Sequence, residues 1–316
     1  MRQLQNCRNT TTYVLLLIAI LSLFVTGCGE KKHSTTKERA LLSLTAMRIN
    51  DDFSKINQEV AGLADVIGEL YQPEVIEMNR PNFNIDNYQL ADNGVYYKPQ
   101  NDGGSAVFVS GAIEVDEAVK EIVYFTEFMD SKLIELTKTY PEVVQAYYND
   151  KNSYNRIYPY FDVLAQYGAK MVIPDFNFYY LADEKHNPAK KSVWVNEPYV
   201  DPAGRGWMVS AIAPVYVNDI LVGVPGLDVT ISTITDRYLT KDDYDIVILD
   251  ENGTVVAIND YLTGVFSLPP LKDHKYLETI RADTYKSDNY NLLKSRSEAV
   301  RNLATAIYSD IDHDLT

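Results

Sequence analysis

WMVSAIAPVYVNDILVGVPGLDVTI, residues 207–231, is the stretch that decides the fold. β-Branched and small apolar residues dominate it, and Asn218-Asp219 interrupts it with turn chemistry. It therefore predicts two antiparallel strands, residues 207–217 and 220–231. Asp228 is the acidic residue inside the second strand, where burial is costly unless a cation or hydrogen bonds meet the carboxylate. We expect Asp228 to contact a ligand; exposure to solvent or bonding to backbone amides is the alternative.

Further β-rich segments lie on both sides of this stretch. Residues 144–148 and 154–158 flank a polar turn and predict a hairpin, while 105–110 and 192–195 predict single strands. The last five strands up to residue 231 are expected to form an antiparallel meander. Residues 246–249 and 254–258 flank Asp250-Glu251-Asn252-Gly253 and predict another hairpin, a weak internal repeat of the first.

Two helices are predicted before the strands. In the first, residues 37–72, apolar residues alternate steps of four and three: Ile49, Phe53, Ile56, Val60, Leu63, Ile67 and Leu70. Such a seam packs either on its own domain or on a second copy in a homodimer. Residues 115–136 keep helical spacing up to Pro141, and helical patterns return at 276–281 and 297–308. Helices and an antiparallel sheet make the fold class α+β.

The N-terminus has the layout of an export signal. Two arginines precede an apolar run, residues 13–25, which is shorter than the roughly 20 residues of a membrane span. Val25-Thr26-Gly27-Cys28 resembles a bacterial lipobox, which predicts cleavage of residues 1–27, lipidation of Cys28 and a tether over 28–36. An uncleaved transmembrane anchor is the alternative. Both place the remainder outside the cytoplasm, attached to a membrane.

The composition argues against several function classes. The formal charge of −15 disfavours nucleic acid and anionic lipid as partners. The two cysteines, Cys7 and Cys28, leave no thiol within the mature domain for a disulfide, a zinc site or nucleophilic catalysis. No HExxH, GxSxG, Walker or dinucleotide-binding motif occurs, and the four histidines lack metal-ligand spacing. We expect neither an enzyme nor a cofactor or metal site.

Residues 178–231 resemble the double Cache sensor domains of bacterial chemoreceptors and sensor kinases. The resemblance rests on Phe178-Tyr179-Tyr180, Trp194, residues 197–201, residues 210–215 and residues 223–230. It implies PAS-like antiparallel modules behind a long helix. The membrane-distal module, residues 73–240, would be complete and would bind the ligand, whereas the proximal module, residues 241–316, would be partial. The strands that normally complete the proximal module are not found, so a truncated or degenerate module is expected.

The resemblance also implies a ligand site. The family's ammonium contacts match Tyr179, Tyr180, Tyr199, Asp201 and Asp228, and Trp194 lies in the same region. Asn177 occupies the position of the arginine that binds an amino acid's carboxylate, so that half of the site is changed. Arg156 is the candidate replacement. Asp201 could instead belong to a turn, and the tyrosines and Trp194 could be core residues.

These features predict a lipid-anchored sensor of a small molecule, an amine or other small polar metabolite, in signal transduction or chemotaxis. With no cytoplasmic signalling segment up to Thr316, any signal would need a partner chain. The alternative is a lipid-anchored binding protein that delivers a solute to a transporter or receptor. A structural envelope lipoprotein is a third possibility.

Overall fold

The computed structural model describes residues 17–20, 31–239, 245–268 and 287–314. Its helices are α1 (Lys31–Leu70), α2 (Pro73–Asn79), α3 (Glu117–Thr126), α4 (Asp130–Thr139), α5 (Val163–Gln166), α6 (Asn177–Tyr180), α7 (Ile231–Ile234), α8 (Asp260–Val265) and α9 (Glu298–Asp314). Its strands are β1 (Leu17–Ile20), β2 (Gln89–Leu90), β3 (Tyr96–Tyr97), β4 (Ala106–Val109), β5 (Gln145–Asp150), β6 (Tyr154–Tyr158), β7 (Val193–Val200), β8 (Trp207–Ile212), β9 (Val215–Val217), β10 (Ile220–Thr230), β11 (Ile246–Leu249) and β12 (Val255–Ile258). The α+β prediction is confirmed.

The main sheet is antiparallel, with the order β2-β3-β4-β6-β5-β10-β8-β7 and β9 pairing with β10. The predicted meander is wrong, because β10 inserts between β5 and β8. The physical reason is the long segment between β6 and β7. It folds over one face of the sheet instead of turning tightly, so β7 does not follow β6 as its neighbour. The predicted strand 207–217 also divides into β8 and β9 around Pro214.

Helix α1 packs along one face of the main sheet. Six of the seven seam residues are buried within this single chain, and Leu70 packs against the same core. The seam is thus covered by the chain's own domain, and it does not present these side chains to a second copy. The predicted second helix is present as α3 and α4, separated by one tight turn, Glu127–Met129.

A smaller sheet, β1-β11-β12, carries the C-terminal part of the described chain. The predicted hairpin is β11–β12, and its turn matches that of β5–β6. In each turn an aspartate, Asp150 or Asp250, accepts a hydrogen bond from the amide two residues later, and a residue with positive φ follows, Ser153 or Gly253. The helix expected at 276–281 lies outside the described residues, whereas that at 297–308 is α9.

The leader region is only partly described. Residues 17–20 of the apolar run form β1, paired antiparallel with β11, while residues 21–30, including Cys28, lie outside the described part. Cleavage and lipidation remain predictions. Among the described residues, no helix combines the length and apolarity that a membrane span requires.

The guanidinium of Arg156 joins the helices to the sheet. It lies fully buried on the α1 side of β6. Its nitrogens donate to Tyr154 Oη (2.7 Å), Asp130 Oδ1 (3.0 Å), Tyr88 Oη (3.0 Å) and the Val123 carbonyl (2.8 Å). Asp130 Oδ2 also accepts from the Ser105 amide. The charge is therefore compensated by a carboxylate and three further acceptors, as burial requires.

Arg156→Met should lower the free energy of unfolding by about 3–5 kcal/mol, since it leaves the Asp130 carboxylate without its ionic partner. Urea unfolding monitored by circular dichroism measures the change. Arg80→Met is the matched control, because Arg80 pairs with Glu77 and Glu121 at the surface and its loss should change stability little. Equal effects of the two substitutions would show that the buried network is not a main source of stability.

Candidate functional site

The candidate site lies on the face of the main sheet opposite α1. There the segment 159–182, called the cover segment below, lies over the strands and contributes Val163, Tyr167, Ile173 and Phe178 to a second core. Between them is a cavity of about 20 Å³, room for about one water molecule. Its lining comprises Gln145, Tyr147, Asn149, Asn155, Ile157, Tyr167, Met171, Ile173, Phe178, Tyr199, Asp201, Pro202 and Asp228.

Strand alternation selects the residues that line this cavity. Successive side chains of a strand point to opposite faces. Gln145, Tyr147 and Asn149 of β5 therefore share the cavity side, while Ala146 and Tyr148 join the core beneath α1. Both faces of β5 are buried, so the polar residues at alternate positions are enclosed with the cavity and not exposed to water.

Asp228 is the centre of the site. It is 1% exposed, and the sheet register places Gln145 beside it on β5 and Ser210 beside it on β8. Both neighbours bond its carboxylate: Ser210 Oγ donates to Oδ1 and Gln145 Nε2 to Oδ2, each at 2.5 Å. Burial, followed by the nearby charge of Asp201, raises the pKa of Asp228 to about 7, although these two hydrogen bonds oppose the shift.

Asp201 is both a turn residue and a cavity residue, so the two readings of the sequence do not exclude each other. Its carboxylate accepts from the amides of Ala203 (2.9 Å) and Arg205 (3.0 Å) and caps the turn that leads into β8. Gln145 Nε2 also reaches its Oδ1, at 3.3 Å. Burial raises the pKa of Asp201, and the two backbone hydrogen bonds act in the opposite direction. The cavity thus holds two buried carboxyl groups.

Tyr199 completes the set of predicted residues found in the lining. Its hydroxyl lies 2.6 Å from Ser210 Oγ, which bonds Asp228, and its ring packs against Phe178 with centroids 5.3 Å apart. Tyr199 therefore connects the carboxylates to the aromatic side of the cavity. The structure brings Asp228, Asp201 and Tyr199 together in one lining, and their contact with a ligand stays a prediction.

Three other predicted residues lie on or beside α6 but do not line the cavity. Asn177 accepts a hydrogen bond from the Phe178 amide, and Tyr179 is buried in the core beneath the cover segment. The side chain of Tyr180 is 37% exposed, and its ring contacts His186. Phe178 lines the cavity in their place. An α6 of only four residues presents one side chain to the cavity, and that side chain is neither of the two tyrosines.

Arg156 and Trp194 lie on the opposite face of the sheet, which corrects their assignment to the site. Asn155 and Ile157 line the cavity, so Arg156 between them must point towards α1. Trp194 stacks on Phe53 of α1, with centroids 4.6 Å apart. Arg156 is therefore not the replacement carboxylate clamp, and Trp194 is a core residue.

The sequence analysis missed the polar residues of the hairpin, namely Gln145, Tyr147, Asn149 and Asn155. No alternation in the sequence marks them, because the intervening positions of β5 include Tyr148 and Asp150 besides Ala146. It also missed Tyr167, whose hydroxyl donates to Asn155 Oδ1 at 3.2 Å and fastens the cover segment to the sheet.

The charge of the cavity is one-sided. None of its lining residues, all within the described part of the chain, is lysine, arginine or histidine. Arg205, whose amide bonds Asp201, is a cation that lowers the pKa of both aspartates, against the larger effect of burial. Its guanidinium reaches the carbonyls of Val144 and Pro159, at 3.4 Å each. The arrangement therefore favours a cationic ligand group over an anionic one.

Comparison with known proteins gives structural similarity only. No protein-family model matches the sequence, and neither does any curated protein. The ligand-binding domain of the Pseudomonas aeruginosa amino acid chemoreceptor PctC, solved with GABA, is 16% identical, with a TM-score of 0.48 over 76% of this chain and 85% of that one. The Campylobacter jejuni chemoreceptor Tlp3 sensory domain, solved with isoleucine, is 13% identical, with a TM-score of 0.43 over 83% of this chain and 86% of that one. Similarity this low does not identify a ligand for this chain.

Asp228→Asn should stabilise the protein increasingly as the pH rises. An acid whose pKa is higher in the folded state than its unfolded value near 4 destabilises the fold once ionised. Wild type should thus lose about 1.4 kcal/mol per pH unit relative to the variant between roughly pH 4 and 7, with the difference constant above pH 7. Urea unfolding of both proteins from pH 4.5 to 8.5 tests this. Asp65→Asn, the same change of charge at an exposed position of α1, is the control. A difference that is independent of pH would contradict the prediction.

Proposed function

We propose that the cavity binds a small cationic amine and that this binding is the function of the domain. The observation that carries the proposal is the pair of buried carboxyl groups, Asp228 and Asp201, which meet in one cavity without a lining cation. A buried carboxylate without a counter-charge is unfavourable, and an ammonium supplies that charge. Tyr199, Tyr147 and Phe178 offer aromatic faces for cation–π contact and for an apolar body.

An α-amino acid fits this site less well than an amine. Its carboxylate would need a cationic partner, and Asn177 stands where the resemblance places arginine. Arg156 is bonded on the other face of the sheet. The rest of the lining includes the apolar Ile157, Ile173 and Phe178 beside the polar Asn149 and Asn155, so the ligand should carry an apolar part beyond its ammonium.

Binding requires the cover segment to move, because the closed cavity has room for only about one water molecule. Several polar contacts hold the segment down. They include the Tyr167 hydroxyl on Asn155, the Ile173 amide on Ser153 Oγ (3.1 Å) and the Gly111 amide on the Ala169 carbonyl (2.8 Å). Opening would separate mainly side-chain contacts and leave the sheet intact, so the site can admit a ligand without unfolding.

Within this proposal the domain is an extracytoplasmic sensor, lipidated at Cys28, that acts on a partner chain. Support comes from the position of α1, which packs on β8 and β10, the strands that hold Ser210 and Asp228. The turn capped by Asp201 leads directly to Trp207, whose ring contacts Tyr290 at 5.6 Å between centroids. The alternative function, delivery of a solute to a transporter or receptor, needs the same cavity but no such coupling.

The full-length chain should bind 2-phenylethylamine and should not bind 3-phenylpropionate, its anionic counterpart of similar size. Isothermal titration calorimetry measures both. Asp228→Asn should weaken amine binding by at least about tenfold, because a charged hydrogen bond contributes about 1.5–3 kcal/mol. Asp65→Asn, a substitution at an exposed position of α1, should leave amine binding unchanged. Preference for the carboxylate, or equal amine affinity in wild type and Asp228→Asn, would contradict the proposal.

The amine affinity should also rise with pH and then level off. A proton on Asp228 competes with the ligand's ammonium, so affinity should increase about tenfold per unit up to roughly pH 7, the pKa of this group, and stay constant above it. The same titrations repeated in buffers of different pH provide this curve.

Sensing and delivery differ in what happens at the two tryptophans. Trp194 stacks on α1 and Trp207 contacts Tyr290, so intrinsic fluorescence reports on both junctions. A sensor should change its emission on adding 2-phenylethylamine at saturating concentration, and Trp194→Phe and Trp207→Phe show which junction responds. Asp228→Asn at the same ligand concentration is the control for direct quenching. Binding by calorimetry without any change in emission would favour delivery.

A further inference from the structure

Gln145 occupies the space between the two carboxyl groups. It is 1% exposed, and its Nε2 donates to Asp228 Oδ2 at 2.5 Å and to Asp201 Oδ1 at 3.3 Å. The amide NH₂ is thus a neutral donor at the place where a ligand's ammonium would meet both acids. Neither strand pairing nor core packing requires an amide here, since the backbone of β5 makes the register with β10 whatever its side chain.

The other end of the same amide is unsatisfied. Among the described residues, no group lies within hydrogen-bonding distance of Gln145 Oε1, although the atom is buried. A buried carbonyl without a donor costs about 1–3 kcal/mol, and such atoms are uncommon in folded proteins. This acceptor is thus available to a donor that enters the cavity.

We infer that Gln145 selects ligands that carry a primary ammonium. This inference rests on the proposed function. In the closed site its NH₂ takes the ammonium's place; when the amine enters, the amide turns and presents Oε1 to it. Asp228, Asp201 and Oε1 then form three acceptors around one point. A primary ammonium has three N–H donors and satisfies all of them, whereas a quaternary ammonium has none and leaves all three without a hydrogen bond.

The experiment compares 2-phenylethylamine with its N-methyl, N,N-dimethyl and N,N,N-trimethyl derivatives on the full-length chain by calorimetry. For wild type, affinity should fall stepwise with each N–H replaced, and the primary amine should bind at least about tenfold tighter than the trimethyl compound. In Gln145→Leu the preference for the primary amine should shrink about threefold, because the loss of Oε1 removes one of the three acceptors for N–H donors, whereas Asp228 and Asp201 still accept from the ammonium. Gln145→Met, of similar volume, serves if the leucine variant does not fold.

The outcomes separate this inference from the proposed function. Equal wild-type affinity for the primary and trimethyl compounds overturns the role of Gln145 and leaves amine binding in place. A preference of undiminished size in Gln145→Leu and in Gln145→Met also overturns it, because the preference then does not depend on Oε1. If wild type binds none of the four cations, or if Asp228→Asn binds them as wild type does, the proposed function fails and the inference fails with it.

Discussion

The pairing of β10 with β5 is the constraint on which the site depends. In this register Tyr147 stands opposite Gly226, and a Cβ built on Gly226 would lie 2.2 Å from the tyrosine ring. Only glycine leaves room for the ring. The Tyr147 side chain and the absence of a side chain at Gly226 therefore hold the two strands in this register. With that register, Gln145 falls opposite Asp228. A slip by one residue would turn Asp228 towards α1 and leave its charge among apolar side chains.

The same alternation divides the sheet into two kinds of polar interior. On the α1 side, Arg156 meets Asp130 and three neutral acceptors, and its charge is compensated within the chain. On the cavity side, Asp228 and Asp201 receive hydrogen bonds but no ionic partner from the lining. A buried charge with an ionic partner and hydrogen bonds is accommodated in the folded protein. A buried charge without an ionic partner is unfavourable until a counter-charge binds. Asn155 and Arg156 are neighbours in β6, but Asn155 lines the cavity and Arg156 belongs to the ionic network on the α1 side.

The sequence predicted the elements well and their faces poorly. The long seam of α1, both hairpins and the exceptional position of Asp228 followed from periodicity and from the cost of burying charge. The face of the sheet to which each side chain points could not be predicted from the sequence. The sheet is buried on both sides, and its strands lack the apolar–polar alternation that marks a solvent-exposed face. Arg156 and Trp194 were misplaced for that reason. The strand order was predicted wrongly because the connection between β6 and β7, residues 159–192, is long. A long connection does not determine which strands become neighbours in the sheet.

The free-energy cost of burying the Asp228 carboxylate can be reduced in three ways. A proton on Asp228 removes the charge, and its pKa near 7 shows that this competes under ordinary conditions. Hydrogen bonds from Ser210 and Gln145 reduce the cost without removing it, and they leave Gln145 Oε1 unsatisfied. An entering cation removes the cost and satisfies that atom as well. Because the empty site bears this cost, a cation that removes it contributes favourably to the free energy of binding. The proposed preference for a cation and the predicted loss of stability with rising pH therefore have the same origin.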